Sequence, residues 1–411
     1  MLLLLKILLI TALLIWILAI IPAYQYGQLG RSLQKIDKKL DAVEEDLPPL
    51  TVVIAAHNQA PALRRHLPVI LNQDYARFEV IVIDMASTDE TKDVLERLEL
   101  QYAYLRHTHT PSSARDISVQ RLALTLGFRA AAYDWVVMTR PDCEPISPHW
   151  LTRIGETIIH PKQGIQSPRL KQPDMVLGMA RFDEQRSTWL DYKMGFYRLW
   201  YTMEGSRHVL NGHAAVRADD CNIAFRKSYF FEKGGFADAQ GLKAGAAELL
   251  VNHTSTPSNT ALLVLPSAMV VQDMINSGSL WAKRRVFYAE TRRHQRHTFI
   301  YRCVQTWHQL MPWLVVFAMV LPLLVSLVLL FTHQESDVMV YLIVLAVVLT
   351  ILLATYTITK ISSLRATTRA LGCRSYYLTL IPLELQLPLQ NLLAHLARRF
   401  SSNKEFRKKF V

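Results

Sequence analysis

The sequence predicts an α/β fold with a mostly parallel sheet, joined to one N-terminal and two C-terminal transmembrane helices. Three observations carry this prediction. Between residues 50 and 150, short apolar runs rich in β-branched residues alternate with segments of helical period. Apolar stretches at about 2–23, 310–331 and 338–356 approach the ~20 helical residues that cross a hydrocarbon core of roughly 30 Å. Hydrophobic residues make up 51% of the 411 and charged residues 19%, a mix suited to a globular domain tied to a membrane.

The elements follow in order. The first span, interrupted only by Lys6, is long and lacks a small-x-small cleavage site, which favours a retained helix over a cleaved signal peptide. Residues 28–48 alternate in charge sign and end at Pro48-Pro49, reading as a juxtamembrane helix or linker. LTVVIAA (50–56) and FEVIVID (78–84) read as buried strands. Between them Pro61 opens a helix on which Leu63, Leu67, Ile70 and Leu71 share a face. Ser87 and Glu90 have the spacing of a capping box for a helix carrying Val94, Leu95 and Leu98. A third strand is expected at 100–107, a helix at 117–132, a fourth strand at 134–139 and a further helix from Pro148. The Leu-rich 377–398 segment contains Pro382, Glu384 and Pro388 and reads as interfacial or re-entrant rather than spanning.

The net charge is +12, but much of the excess sits beside the spans. Arg31, Lys35, Lys38 and Lys39 follow the first, Arg292, Arg293, Arg296 and Arg302 precede the second, and Lys360, Arg365, Arg369 and Arg374 follow the third. The link THQESD has no Lys or Arg. The positive-inside rule therefore puts the middle segment and the tail in the cytoplasm and accounts for the charge without nucleic acid as a partner. The four cysteines are scattered, so neither a disulfide framework nor a zinc site is signalled. No GxGxxG or GxxxxGK segment is present, which excludes a standard dinucleotide fingerprint and a P-loop.

In a parallel sheet, ligands bind beyond the carboxyl ends of the strands. The turns AAHNQ, IDMASTDE and TRPDCEP occupy such ends. TVVIAAHNQA, LNQDYARFEVIVIDMASTDET, TRPDCEP and CNIAFRKSYFFEKGGF, in that order, resemble family 2 of the glycosyltransferases over about residues 49–250. The resemblance implies a nucleotide-sugar-binding fold of the GT-A type and an inverting sugar transfer, usually assisted by Mg²⁺ or Mn²⁺. With it the chain divides into an N-terminal helix (1–27), the linker (28–48), a catalytic domain (49–300), two transmembrane helices (301–357) and a basic interfacial tail (358–411).

The resemblance assigns roles residue by residue. His57 and Asn58 stand where the family carries an aromatic residue and Asn beside the nucleotide. Asp84 keeps one carboxylate of a usual pair, the other being Met85, and either contacts base or ribose or shapes its turn. In the family's Asp-x-Asp, this chain has Arg140-Pro141-Asp142. Asp142 falls on the metal-ligating position, while Arg140 either leaves a one-carboxylate metal site or binds phosphate itself. Ala246-Ala247 replace the family's Glu-Asp, so Glu248 is either the shifted general base or an ordinary helix glutamate. Trp281, Arg284 and Arg285 resemble an aromatic-basic helix over the donor, though such a helix also attracts anionic lipid. Arg121 either reaches a phosphate or caps the core. Asp219-Asp220 line the acceptor side or form a turn.

The function implied is a membrane-bound transferase of the bacterial inner membrane, moving sugar from a nucleotide-sugar donor to a lipid-linked or glycan acceptor in envelope polysaccharide synthesis. The alternative is a catalytically degenerate relative acting as a scaffold there, since Met85, Arg140, Ala246 and Ala247 all fall on acidic positions of the family pattern.

Overall fold

The structure, a computed structural model, describes residues 2–36, 46–111, 119–161, 166–184, 186–237, 242, 245–296, 298–332 and 336–401. Residues 37–45 of the expected linker (28–48) and residues 402–411 of the tail lie outside the described residues. The chain forms two compact units, Met1–Gln34 with His297–Gln390, and Lys35–Arg296 with Asn391–Val411.

The first unit contains α1 (Leu2–Gln25) and α2 (Gln28–Ile36) at the start of the chain. The second begins with β1 (Leu50–Ala56), α3 (Ala60–Leu71), β2 (Phe78–Asp84), α4 (Thr91–Gln101), β3 (Leu105–His109), α5 (Val119–Ala130) and β4 (Trp135–Thr139). It continues through β5 (Cys143–Pro145), α6 (Trp150–Ile159), β6 (Met175–Gly178), β7 (Ala180–Phe182), α7 (Trp189–Leu210), β8 (Ile223–Arg226) and α8 (Lys227–Glu232). It then passes through α9 (Ala246–Thr254), β9 (Thr260–Leu263), β10 (Val270–Gln272) and α10 (Gly278–His294). The chain then makes α11 (Phe299–Val315), a π-helical stretch at Val316–Val320, α12 (Leu321–Thr332), α13 (Ser336–Ala370) and α14 (Leu380–Phe400).

The main sheet has seven strands in the order β3-β2-β1-β4-β8-β6-β9, and only β8 runs against the others. Leu50 of β1 opposes Phe78 of β2 on one side and Trp135 of β4 on the other. The continuous apolar character of β1, β2 and β4 follows from this central place. Val52, Ile54, Val80, Val82 and Val137 are sealed from solvent by helices. A second sheet of three short strands, β5-β10-β7, lies at the end of β4. The mostly parallel α/β fold matches the expectation.

Two local details differ. The expected third strand is shifted, because α4 runs to Gln101 and Tyr102 N still donates to Leu98 O, so β3 starts at Leu105 opposite Val80. Ser87 is not a helix cap. Its backbone and hydroxyl both donate to Asp84, and Glu90 pairs with Arg64 instead.

In the first unit, three helices among the described residues are long and apolar enough to cross a membrane, Leu5–Gln25, Phe299–Phe331 and Val338–Ala370. α1 packs on α13, with Trp16 Nε1 donating to Thr355 Oγ1 at 3.1 Å. α14 is not among those spans; its Glu384 pairs with Lys360 at 2.6 Å, both side chains buried.

Candidate active site

The turn after β4 builds the centre of the site. Cys143 N donates to Arg140 O at 3.2 Å, closing a tight turn that presents Arg140 and Asp142. β5 then pairs with β10, so Cys143 opposes Gln272, and Asp273 N donates to Asp142 O at 2.9 Å. This register brings Gln272 Nε2 to Asp142 Oδ2 at 2.8 Å.

Arg140 joins two carboxylates. Its Nε and Nη2 donate to Asp142 Oδ1 and Oδ2 at 3.0 and 3.4 Å, and its Nη1 donates to Asp220 Oδ2 at 3.2 Å. Arg198, from α7, grips Asp219 with two bonds of 2.7 Å and donates to Gln272 Oε1 at 2.9 Å. Asp142, Gln272, Arg198, Asp219, Asp220 and Arg140 thus close a ring of paired polar groups. Burial alone raises the Asp142 pKa, but Arg140, Gln272 and the nearby Arg284 outweigh it and hold the carboxyl well below the ordinary range.

A cavity of about 620 Å³ opens over this ring. α7 and α10 give it aromatic walls in Tyr197, Tyr201, Trp281 and Tyr288, with Tyr197 stacked on Tyr288 at 5.9 Å. Lys283 and Arg284 also face it. Glu248 enters from the first turn of α9. That helix starts after Gly245, whose φ of +82° is costly for other residues and whose absent side chain leaves room for Thr291. Burial raises the Glu248 carboxyl above its ordinary 4.5, against the opposing pull of Arg217, 3.8 Å away, and Arg292.

The cavity therefore gathers Arg140, Asp142, Glu248, Trp281 and Arg284 among the residues singled out from sequence, and Asp219 and Asp220 with them. The others stand elsewhere. Asp84 organises its own turn through Ser87. Asn58, at φ 51°, accepts from Thr88 N at 2.8 Å, and His57 Nδ1 lies 3.0 Å from Met85 O, so these groups stitch the first two strand-end loops together. Arg121 is buried in α5, where desolvation lowers its pKa. Arg285 is buried over the Tyr197 ring, behind that wall of the cavity, and donates to Asn391 Oδ1 at 2.8 Å without lining the cavity itself. Sequence reasoning missed Arg198, Gln272, Arg217 and Tyr201; no local motif marks them.

Candidate metal ligands are Asp142 and the group Asp219, Asp220 and Cys221, whose ligand atoms lie within 4.8 Å of one another. They do not fit a dication as arranged. Arg140 bridges Asp142 and Asp220, Arg198 holds both oxygens of Asp219, and burial raises the Cys221 thiol, keeping it protonated.

Residues 51–230 match the family described as Glycosyl transferase family 2. The chain is 23% identical over 202 residues to the poly-beta-1,6-N-acetyl-D-glucosamine synthase of Staphylococcus aureus strain COL, a match covering 48% of this chain and 45% of that protein. The same protein of strain N315 gives the same figures, so the match spans less than half the length of these curated relatives. Among solved structures, the chain is similar to the mannosyltransferase PcManGT from Pyrobaculum calidifontis in complex with GDP-Man and Mn²⁺. Identity there is 17% and the TM-score 0.52, covering 96% of this chain and 99% of the other. That likeness establishes a GT-A-like α/β fold.

Proposed function

We propose, from the match of residues 51–230 to glycosyltransferase family 2, that this chain moves a sugar from a nucleotide-sugar donor to an acceptor hydroxyl, with inversion. The acceptor is a lipid-linked glycan or polysaccharide. The observation that carries the reading is one cavity that gathers the buried Glu248 carboxyl with Arg140, Asp142, Lys283 and Arg284, burial raising the proton affinity of Glu248 while Arg140 holds Asp142 ionised. Environments that drive two acids apart are the mark of divided catalytic roles.

The steps follow from those groups. Glu248, ionised, takes the proton of the acceptor hydroxyl. The hydroxyl oxygen forms its bond to the anomeric carbon as the bond from that carbon to the diphosphate oxygen breaks. The leaving nucleoside diphosphate keeps the electron pair, and Arg140, Lys283 and Arg284 meet its charge. Asp142 positions the Arg140 guanidinium through two of its hydrogen bonds. Aromatic side chains of α7 and α10 exclude water and offer faces for a sugar ring. The similar mannosyltransferase is solved with GDP-Man and Mn²⁺; in this chain the acids that would bind such an ion are already paired with Arg140 and Arg198.

The basic residues flanking the three candidate spans support a domain on the cytoplasmic face of a bacterial inner membrane. A binding subunit without turnover is the second reading, favoured by Ala246 and Ala247 where the family carries two acids. A panel of nucleotide sugars offered to the purified full chain, with release of nucleoside diphosphate as the readout, decides between them. Release by the wild type supports the transferase, and binding without release supports the subunit.

A further inference from the structure

We propose that Arg140 takes the charge role of a divalent cation in this cavity, so that the nucleoside diphosphate part of the donor binds without a metal. The inference rests on the donor-site reading above and names how that site is neutralised.

The Arg140 guanidinium lies between Asp142 and Asp220, within hydrogen-bond distance of both at 3.0 and 3.2 Å. That is the space a bridging cation would take, already filled by a charge fixed covalently to β4. A guanidinium is planar, permanently charged and weakly hydrated, and matches phosphate oxygens as well as carboxylates.

The remaining donors of the ring point the same way. Gln272 donates to Asp142 at 2.8 Å and accepts from Arg198 at 2.9 Å, so the amide orientation is fixed from both sides. Arg198 occupies both oxygens of Asp219. A dication entering here would have to displace two guanidinium groups and then remain beside them, with like charges opposing it.

Charge balance agrees. Five cationic side chains, Arg140, Arg198, Arg217, Lys283 and Arg284, face the cavity against four carboxylates, Asp142, Asp219, Asp220 and Glu248. The lining is cationic before any ion is added. Such a lining attracts a diphosphate directly and repels a free dication.

The test is equilibrium binding of UDP and GDP to the full chain in detergent, with EDTA and with added Mn²⁺. Expected is tight binding of at least one nucleotide, its Kd differing by less than about threefold between the two conditions, since no ion takes part. Arg140→Asp restores two carboxylates two residues apart and removes the fixed charge. Its Kd should weaken in EDTA and recover on the order of tenfold or more when Mn²⁺ is added. Arg140→Gln, milder for folding, should weaken binding in both conditions with no recovery by Mn²⁺. Wild-type binding that weakens about tenfold or more in EDTA overturns the proposal while leaving the donor site standing. A wild-type chain that binds neither nucleotide in either condition overturns the donor-site reading, and this inference with it.

Discussion

Arg198 holds both carboxylate oxygens of Asp219 at 2.7 Å, one residue before Asp220, which shares Arg140 with Asp142. The pair is mostly buried, with side-chain exposures of 12% and 20%. Removing one partner of such a pair strands the other charge. Arg198→Ala should therefore destabilise the folded domain by about 3–5 kcal/mol. Arg198→Lys keeps the charge but loses the fork, and should cost less. Thermal unfolding of the purified variants reads both, and an unchanged melting temperature in Arg198→Ala would contradict the ring as described.

Asn222 knits the two sheets behind the cavity. Its Nδ2 donates to Met179 O and Ala268 O at 2.9 and 2.8 Å, and its Oδ1 accepts from Trp150 Nε1 at 3.0 Å. The side chain lies against Gly178, where a Cβ would meet it at 2.3 Å. Asn222→Ala takes the partner from Trp150 Nε1 and Ala268 O, while Met179 O still accepts from Val270 N at 3.2 Å; at ~1–3 kcal/mol for each of the two, the expected loss is about 2 kcal/mol or more. The denaturant midpoint reads this loss.

Glu248 sets a pH dependence. Its carboxyl is raised above 4.5 by burial, so the ionised base appears only at a pH above the ordinary glutamate range. The rate should fall as pH drops through that raised value, and the limb should vanish in Glu248→Gln. Stability runs the other way. The folded chain holds this proton more tightly than the unfolded chain, so the contribution shrinks as pH rises from 4.5 through the raised value. A rate profile whose acid limb lies at or below 4.5 would remove Glu248 from the base role.

Lys283 and Arg284 face the cavity from α10. Arg284→Ala should weaken nucleoside diphosphate binding by about 1.5–3 kcal/mol, the worth of a charge-assisted hydrogen bond. Lys283, more exposed, should matter less and be more sensitive to salt. Titration of UDP or GDP at two salt concentrations distinguishes them.

The sheet was legible in the sequence for a physical reason. β1, β2 and β4 are buried on both faces, so they read as continuous apolar runs, and the turns after them follow from strand ends. α7 was not legible. Its aromatic and aliphatic residues Phe196, Tyr197, Leu199, Trp200 and Tyr201 are buried around the helix rather than along one stripe, which erases the periodic signal. With α7 unseen, Arg198 had no visible place. The partners of Arg140 split along the same line. Asp142 lies two residues away, next to Arg140 in the same motif, whereas Asp220, marked only for the acceptor side or a turn, lies 80 residues away, and the antiparallel pairing of β4 with β8 is what brings its loop to Arg140. Ser87 shows the opposite error, a correct local spacing overruled by the stronger acceptor at Asp84.

The most direct measurement is the rate of nucleoside diphosphate release from a panel of nucleotide sugars by the wild type and by Glu248→Gln. The account predicts release by the wild type with at least one donor, a fall of ~10²–10⁴-fold in the variant, and donor affinity unchanged. Equal rates in the two proteins, or a wild type that binds no donor, would contradict it.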